Sequence, residues 1–163
     1  MRAGIVARLV IAAALVLPSA CGFHLQGRAA LPAEVKSPYV EAPDVQSDFV
    51  QSLRHALLTN GATLVPEKGK SSAVISILQD QMTRRVVSVS AANQPNQYEV
   101  TYTVRVTVTA GGKELLPAQE VTATRTYSFS EPLLLAKGHE EDVLREDMAR
   151  DLADRVMRLL TQL

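Results

Sequence analysis

The groups able to do chemistry in this 163-residue chain are few: one cysteine, Cys21, three histidines, His24, His55 and His139, and one dense acidic run, Glu140-Glu141-Asp142. A lone thiol excludes an intramolecular disulfide and any zinc site built from several cysteines. None of the histidines has metal-ligand spacing or an adjacent nucleophile motif, and they read as surface or capping groups. No G-x-S-x-G, P-loop, G-x-G-x-x-G or H-E-x-x-H occurs in the sequence. The acidic run suits the amino terminus of a helix, where the dipole favours negative charge, better than an acid and base pair. The chain is therefore not read as an enzyme, and no cofactor or metal is implied. Seventeen basic and seventeen acidic residues, with 4% aromatics and no tryptophan, give neither the basic footprint nor the stacking platform of a nucleic-acid binder.

Cys21 gains a role from what precedes it. Arg2 and Arg8 supply positive charge, and Leu9 to Leu17 form a nine-residue apolar run, too short to span a membrane, which takes roughly 20 apolar residues. Ser19 and Ala20 then stand directly before the cysteine. This is the arrangement of a bacterial lipoprotein signal, with Leu17 four places before the cysteine where the usual pattern has leucine at three. The alternative, an unlipidated secretory signal followed by a buried thiol, leaves a free cysteine in an oxidising compartment. Lipidation removes that thiol, and at about 0.8 kcal/mol per buried methylene two or three acyl chains anchor the mature amino terminus in a bilayer. Gly22, in place of an aspartate after the cysteine, matches lipoproteins sorted to the outer membrane. The reading divides the chain into a signal at 1–20, a lipidated tether at 21–36 and one folded domain at 37–163. Without residues 1–20, and so without Arg2 and Arg8, 15 basic and 17 acidic residues remain, a net charge of −2.

The elements that position everything else follow from periodicity. A short strand is expected near Tyr39 to Ala42. Asp44 is expected to cap a helix whose buried face is Val45, Phe49, Leu53, Ala56 and Leu57, stopped by Asn60-Gly61. Thr63 to Val65 reads as a short extended piece. From Ala73 a strand begins that is buried on both faces and continues less clearly to Val89, followed by a polar loop at Ala91 to Gln97. Tyr98 to Thr109 alternates cleanly: Tyr98, Val100, Tyr102, Val104, Val106 and Val108 on one face, with Glu99, Thr101, Thr103, Arg105, Thr107 and Thr109 on the other. Gly111-Gly112 makes a two-residue hairpin turn, and the return strand is expected from Gln119 to Ser130, its apolar face interrupted by Arg125. A last helix, His139 to Gln162, carries the stripe Leu144, Met148, Leu152, Val156, Leu159, Leu160 and Leu163. The expected fold is α+β: a two-layer sandwich of about four strands in a mixed sheet, with both helices on one face and a Thr- and Ser-rich face left free.

Three stretches together resemble one family. Cys21-Gly-Phe-His-Leu-Gln-Gly-Arg is similar to the mature start of the LPS-assembly lipoproteins called LptE. Gln97-Tyr98-Glu99 with its alternating strand resembles that family's central strand, and Glu131-Pro-Leu-Leu-Leu-Ala-Lys137 before an acidic helix start resembles its last strand-to-helix junction. The resemblance implies an outer-membrane lipoprotein, facing the periplasm and the barrel lumen, that plugs and helps assemble the LptD β-barrel. It also implies lipopolysaccharide binding during delivery to the outer leaflet. Within that pattern Lys137 matches a lysine in the loop before the last helix. The pattern's second basic residue, in the loop before the Tyr98 strand, is missing here, and Arg84 and Arg85 are the nearest substitutes. The competing reading is a free periplasm-facing lipoprotein that binds a small lipid or acts as a transport accessory. It requires an apolar pocket between helices and sheet.

Overall fold

The computed structural model describes residues 31–128 and the final helix from Leu134 to the carboxyl end at Leu163, with side chains of that helix described from residue 141 onward. Cys21 and His24, and with them the signal and most of the tether, lie outside the described residues. A four-stranded sheet in the order β1 (Pro38–Glu41), β2 (Ala73–Val89), β3 (Pro95–Ala110), β4 (Lys113–Ser128) is joined by helices α1 (Asp48–Thr59) and α2 (Leu134–Leu160). β1 and β2 run parallel on either side of α1, and the other neighbours are antiparallel, so the sheet is mixed as expected.

The core is a single cluster between helices and sheet. Phe49, Leu53 and Leu57 of α1 and Met148, Leu152, Val156 and Leu160 of α2 meet Ile75, Ile77, Val104, Val106 and Val108. The alternation read in β3 survives intact: Val100, Tyr102, Val104, Val106 and Val108 are all buried. Gly111 and Gly112 take positive φ of 56° and 78°, the turn that a two-residue hairpin needs. Leu31 and Val35 also pack into this cluster. Thr63 to Val65 lies along β1, Thr63 donating to the Lys36 carbonyl and Val65 to that of Pro38, and so covers that edge of the sheet.

Several boundaries differ from the sequence expectation, each for a physical reason. Ser47, not Asp44, caps α1: its hydroxyl accepts from the Val50 amide and donates to Asp80 Oδ2 at 2.5 Å, a tertiary bond that Asp44 has no means to make. Asp44 instead closes a local turn onto the Gln46 amide, and Val45 is left exposed. β4 starts at Lys113, ahead of Pro117. Leu116 pairs with Val108 and Gln119 with Val106, so Pro117 sits in a bulge of an edge strand, one of the few strand positions that tolerate proline. β3 likewise starts at Pro95 and shortens the expected loop to a turn from Ser90 to Gln94. α2 begins at Leu134, five residues earlier than expected. Leu134, Leu135 and Ala136 are good helix formers, and the cost of Gly138, about 1 kcal/mol, does not break the helix.

Candidate functional site

A bulge decides which basic residues face where. In β2, Ile77 pairs with Val106 and Gln79 with Arg105, leaving Leu78 without a partner. Alternation therefore changes phase: Ile75 and Ile77 face the helices before the bulge, Asp80, Met82, Arg84 and Val86 after it. Arg84 and Arg85, adjacent in one strand, point to opposite faces and cannot cradle one anion together; the bulge puts Arg84 on the helix side.

Beyond α1 the helix-side face of the sheet ends in a polar and aromatic cluster. α1 is 12 residues, about 18 Å, whereas β2, β3 and β4 run 16 or 17 residues, more than 50 Å, so only α2 reaches this end. Tyr98 and Tyr127, directly paired across β3 and β4, stack with ring centroids 5.6 Å apart. The Arg84 guanidinium lies 4.9 Å from the Tyr98 ring centroid, a cation–π arrangement. Arg84 Nη1 donates to the Tyr127 hydroxyl at 3.4 Å and to Glu141 Oε2 at 3.2 Å. The Tyr127 hydrogen bond first, and then the Glu141 charge, raise the Arg84 pKa; as an arginine it is a permanent cation in any case. Val86 on the same face is 47% exposed, and Val87 and Val89, just before the turn, are exposed as well. This end of the molecule joins a fixed cation, two stacked phenols and exposed apolar surface, the combination that suits an amphiphile with an anionic head.

The other candidates are placed differently. Arg85, on the outer face, is largely exposed and donates to Glu99 Oε1 at 2.6 Å, which raises its pKa. Lys137 stands within the first turns of α2 and not in a loop, one helical turn before Glu141, the partner of Arg84. With the earlier start, the acidic run Glu140 to Asp142 falls past the first turn, so its role as dipole complement is lost. Arg125, read as an interruption of the β4 face, is tied to α2 through Asp151 Oδ2 at 3.2 Å. Tyr98 and Tyr127 were legible only as apolar positions of an alternating strand, because nothing in their spacing signals a stack across two strands.

Elsewhere, a groove of about 470 Å³ between α1 and α2 is lined by Asp48, His55, Asn60, Glu146, Arg150 and Asp154 among others, and a smaller one of about 350 Å³ near β1 is lined by Tyr39, Val40, Val45, Leu64 and Val65 among others. Among the described residues no group of three or more histidine, cysteine or acidic side chains could hold a metal ion, and no helix is long and apolar enough to cross a membrane.

A family model described as LptE, Lipopolysaccharide-assembly, matches residues 33–160. The LPS-assembly lipoprotein LptE of Pectobacterium atrosepticum is 27% identical over 93% of this chain and 83% of its own length. That of Photorhabdus laumondii is 26% identical over the same shares. Among solved structures, lipoprotein B from Nitrosomonas europaea superposes with a TM-score of 0.69 at 29% identity, covering 84% of this chain and 88% of that one. The rare lipoprotein B from Shewanella oneidensis, at 22% identity and a TM-score of 0.67 over 77% of this chain and 94% of that one, shares the fold.

Proposed function

The chain belongs to the LptE family of lipopolysaccharide-assembly lipoproteins, and from that premise we propose that it is a non-enzymatic outer-membrane lipoprotein, anchored through Cys21, that plugs and helps assemble the LptD β-barrel and binds lipopolysaccharide on its way to the outer leaflet. The observation that carries the lipopolysaccharide reading is the end of the sheet beyond α1. Arg84 there holds a permanent charge beside stacked tyrosines and exposed valines. Lipid A offers phosphates and acyl chains, the two chemistries this surface can meet together. Arg84 is held by Glu141, so an anion must compete with that carboxylate. A half-exposed pair of this kind holds by about 0–1 kcal/mol, weak enough to exchange. Lys137 adds a second cation to the same end of α2, one turn from Glu141. Arg85, committed to Glu99 on the far face, is the weakest of the three candidates.

The mature chain is slightly acidic, so attraction to an anionic glycolipid comes from placed cations and not from the overall field. Gentle detergent extraction of the tagged full chain should recover a large β-barrel of the LptD type, identified by mass. Recovery of the chain alone would sink the plug reading. Lys137→Glu and Arg84→Glu should each weaken lipopolysaccharide binding with the circular dichroism unchanged, and binding as tight as the parent's in both variants would sink the ligand site.

A further inference from the structure

β4 is the last strand of the sheet, and among the described residues no strand pairs with its outer edge. The opposite edge is covered by Thr63 to Val65. A bare strand edge invites another chain to extend beside it, and folded proteins blunt such edges. The side chains show which backbone groups face outward here. Thr103 and Thr122 stand opposite one another with hydroxyls 3.3 Å apart, the close approach of a pair that exchanges no backbone hydrogen bonds. The Thr122 carbonyl therefore points away from β3, and Thr124, two residues on, repeats its orientation.

These two outward carbonyls, at the middle of the edge, are taken. Arg155 Nη1 donates to the Thr122 oxygen at 3.0 Å, and Arg125 Nη1 to that of Thr124 at 3.1 Å. One carboxylate holds both guanidiniums: Asp151 accepts from Arg155 Nε at 3.1 Å and Nη2 at 2.9 Å, and from Arg125 Nη2 at 3.2 Å. We propose that Arg125 and Arg155, clamped by Asp151 over the Thr122 and Thr124 carbonyls, guard the β4 edge against antiparallel pairing with β4 of a second copy of this chain.

A second copy is the occupant this edge suits. Antiparallel self-pairing centred on Thr124 sets Thr122 against Thr126, Glu120 against Ser128 and Ala123 against Arg125. No like charges meet, and β-branched threonines, which favour strands, face each other in an isologous contact. Among the described residues the two guanidiniums stand in the way, since docking must first strip both from their carbonyls.

The test is sedimentation velocity of the full chain in a neutral detergent, with circular dichroism as the check of folding. The parent stays monomeric, while Arg125→Ala/Arg155→Ala self-associates at least about tenfold more tightly. Adding Thr124→Lys to that double variant places a charge at the centre of the edge and restores the monomer. A folded double variant that sediments like the parent overturns the proposal, as does association that Thr124→Lys fails to reverse. Should the double variant unfold, Arg125→Ala alone, which leaves the Arg155–Asp151 pair intact, carries the same two readouts.

Discussion

Under α1, the inner face of the long strands presents Ile75, Ile77, Val104, Val106 and Val108, none more than 3% exposed; eight residues further along β3, about 25 Å away, the same face presents Arg84, Tyr98 and Tyr127 beside a half-exposed Val86. The strands are continuous between the two ends, so what changes is the cover. Two helices close the first end, and α2 alone reaches the second. Closed apolar surface contributes roughly 25 cal/mol per Å² removed from water. The open end forgoes that gain and keeps groups whose partners can exchange. The closed core and the proposed ligand site thus occupy different ends of one sheet.

The contrast is open to attack by substitution. Leu152→Ala, in the fully buried stripe of α2, should lower unfolding stability by about 2–5 kcal/mol in urea titrations, while Val86→Ala stays within about 0.5 kcal/mol. Equal losses would abolish the distinction between the ends. Next in size is the polar tie between them. Tyr102 donates to Asp80 Oδ1 at 2.8 Å, and Ser47 holds the other oxygen. Tyr102→Phe should cost about 1–3 kcal/mol by leaving a half-buried carboxylate short of a donor. Ser47→Ala should cost about 1 kcal/mol as a lost cap, and the double change should fall short of the sum because both act on Asp80.

The clamp on α2 gives a smaller, pH-dependent effect. Hydrogen bonds from Arg155, and then the Arg155 and Arg125 charges, hold the Asp151 carboxyl below its ordinary value. A folded pKa below the unfolded one means stability that is present above the unfolded value and lost as pH falls through the folded one. Asp151→Asn should therefore flatten the acid limb of the stability curve, and an unchanged limb would remove Asp151 as a contributor. The smallest stability effect is expected at the open end. Arg84→Ala removes a half-exposed ion pair and a cation–π contact and should cost under about 1 kcal/mol in thermal unfolding. Its lipopolysaccharide binding should fall all the same; a large stability loss there would make Arg84 structural and blur the comparison.

Much of this was readable from residue order where the pattern is local. The β3 alternation, the paired glycines of the hairpin and the Asn60-Gly61 stop of α1 all sit where periodicity and backbone preference put them. The errors cluster where a distant partner chooses between local options. Asp44 and Ser47 are both good caps, and Asp80, 33 residues beyond Ser47, selects the second. Pro117 is a sound reason to delay a strand until a bulge on an edge accommodates it. Lys137 was assigned to a loop through the family pattern, yet the three helix formers before it outweigh Gly138 and place it in the helix. Of the candidate site, Arg84 was named for lack of a better cation, with no hint of Tyr98, Tyr127 or Glu141 around it.

By itself, the order of residues determined the family resemblance, the α+β class and the mixed sheet, because these rest on motifs and on periods of two and 3.6 that every neighbouring residue reinforces. Tertiary structure alone decided that Arg84 faces the helices and Arg85 faces away. One unpaired residue, Leu78, shifts the phase of β2, and only pairing with β3 creates that bulge. A side-chain period of two makes a one-residue shift reverse every residue that follows, so the orientation of a charged side chain such as Arg84 depends on register, which no single strand contains.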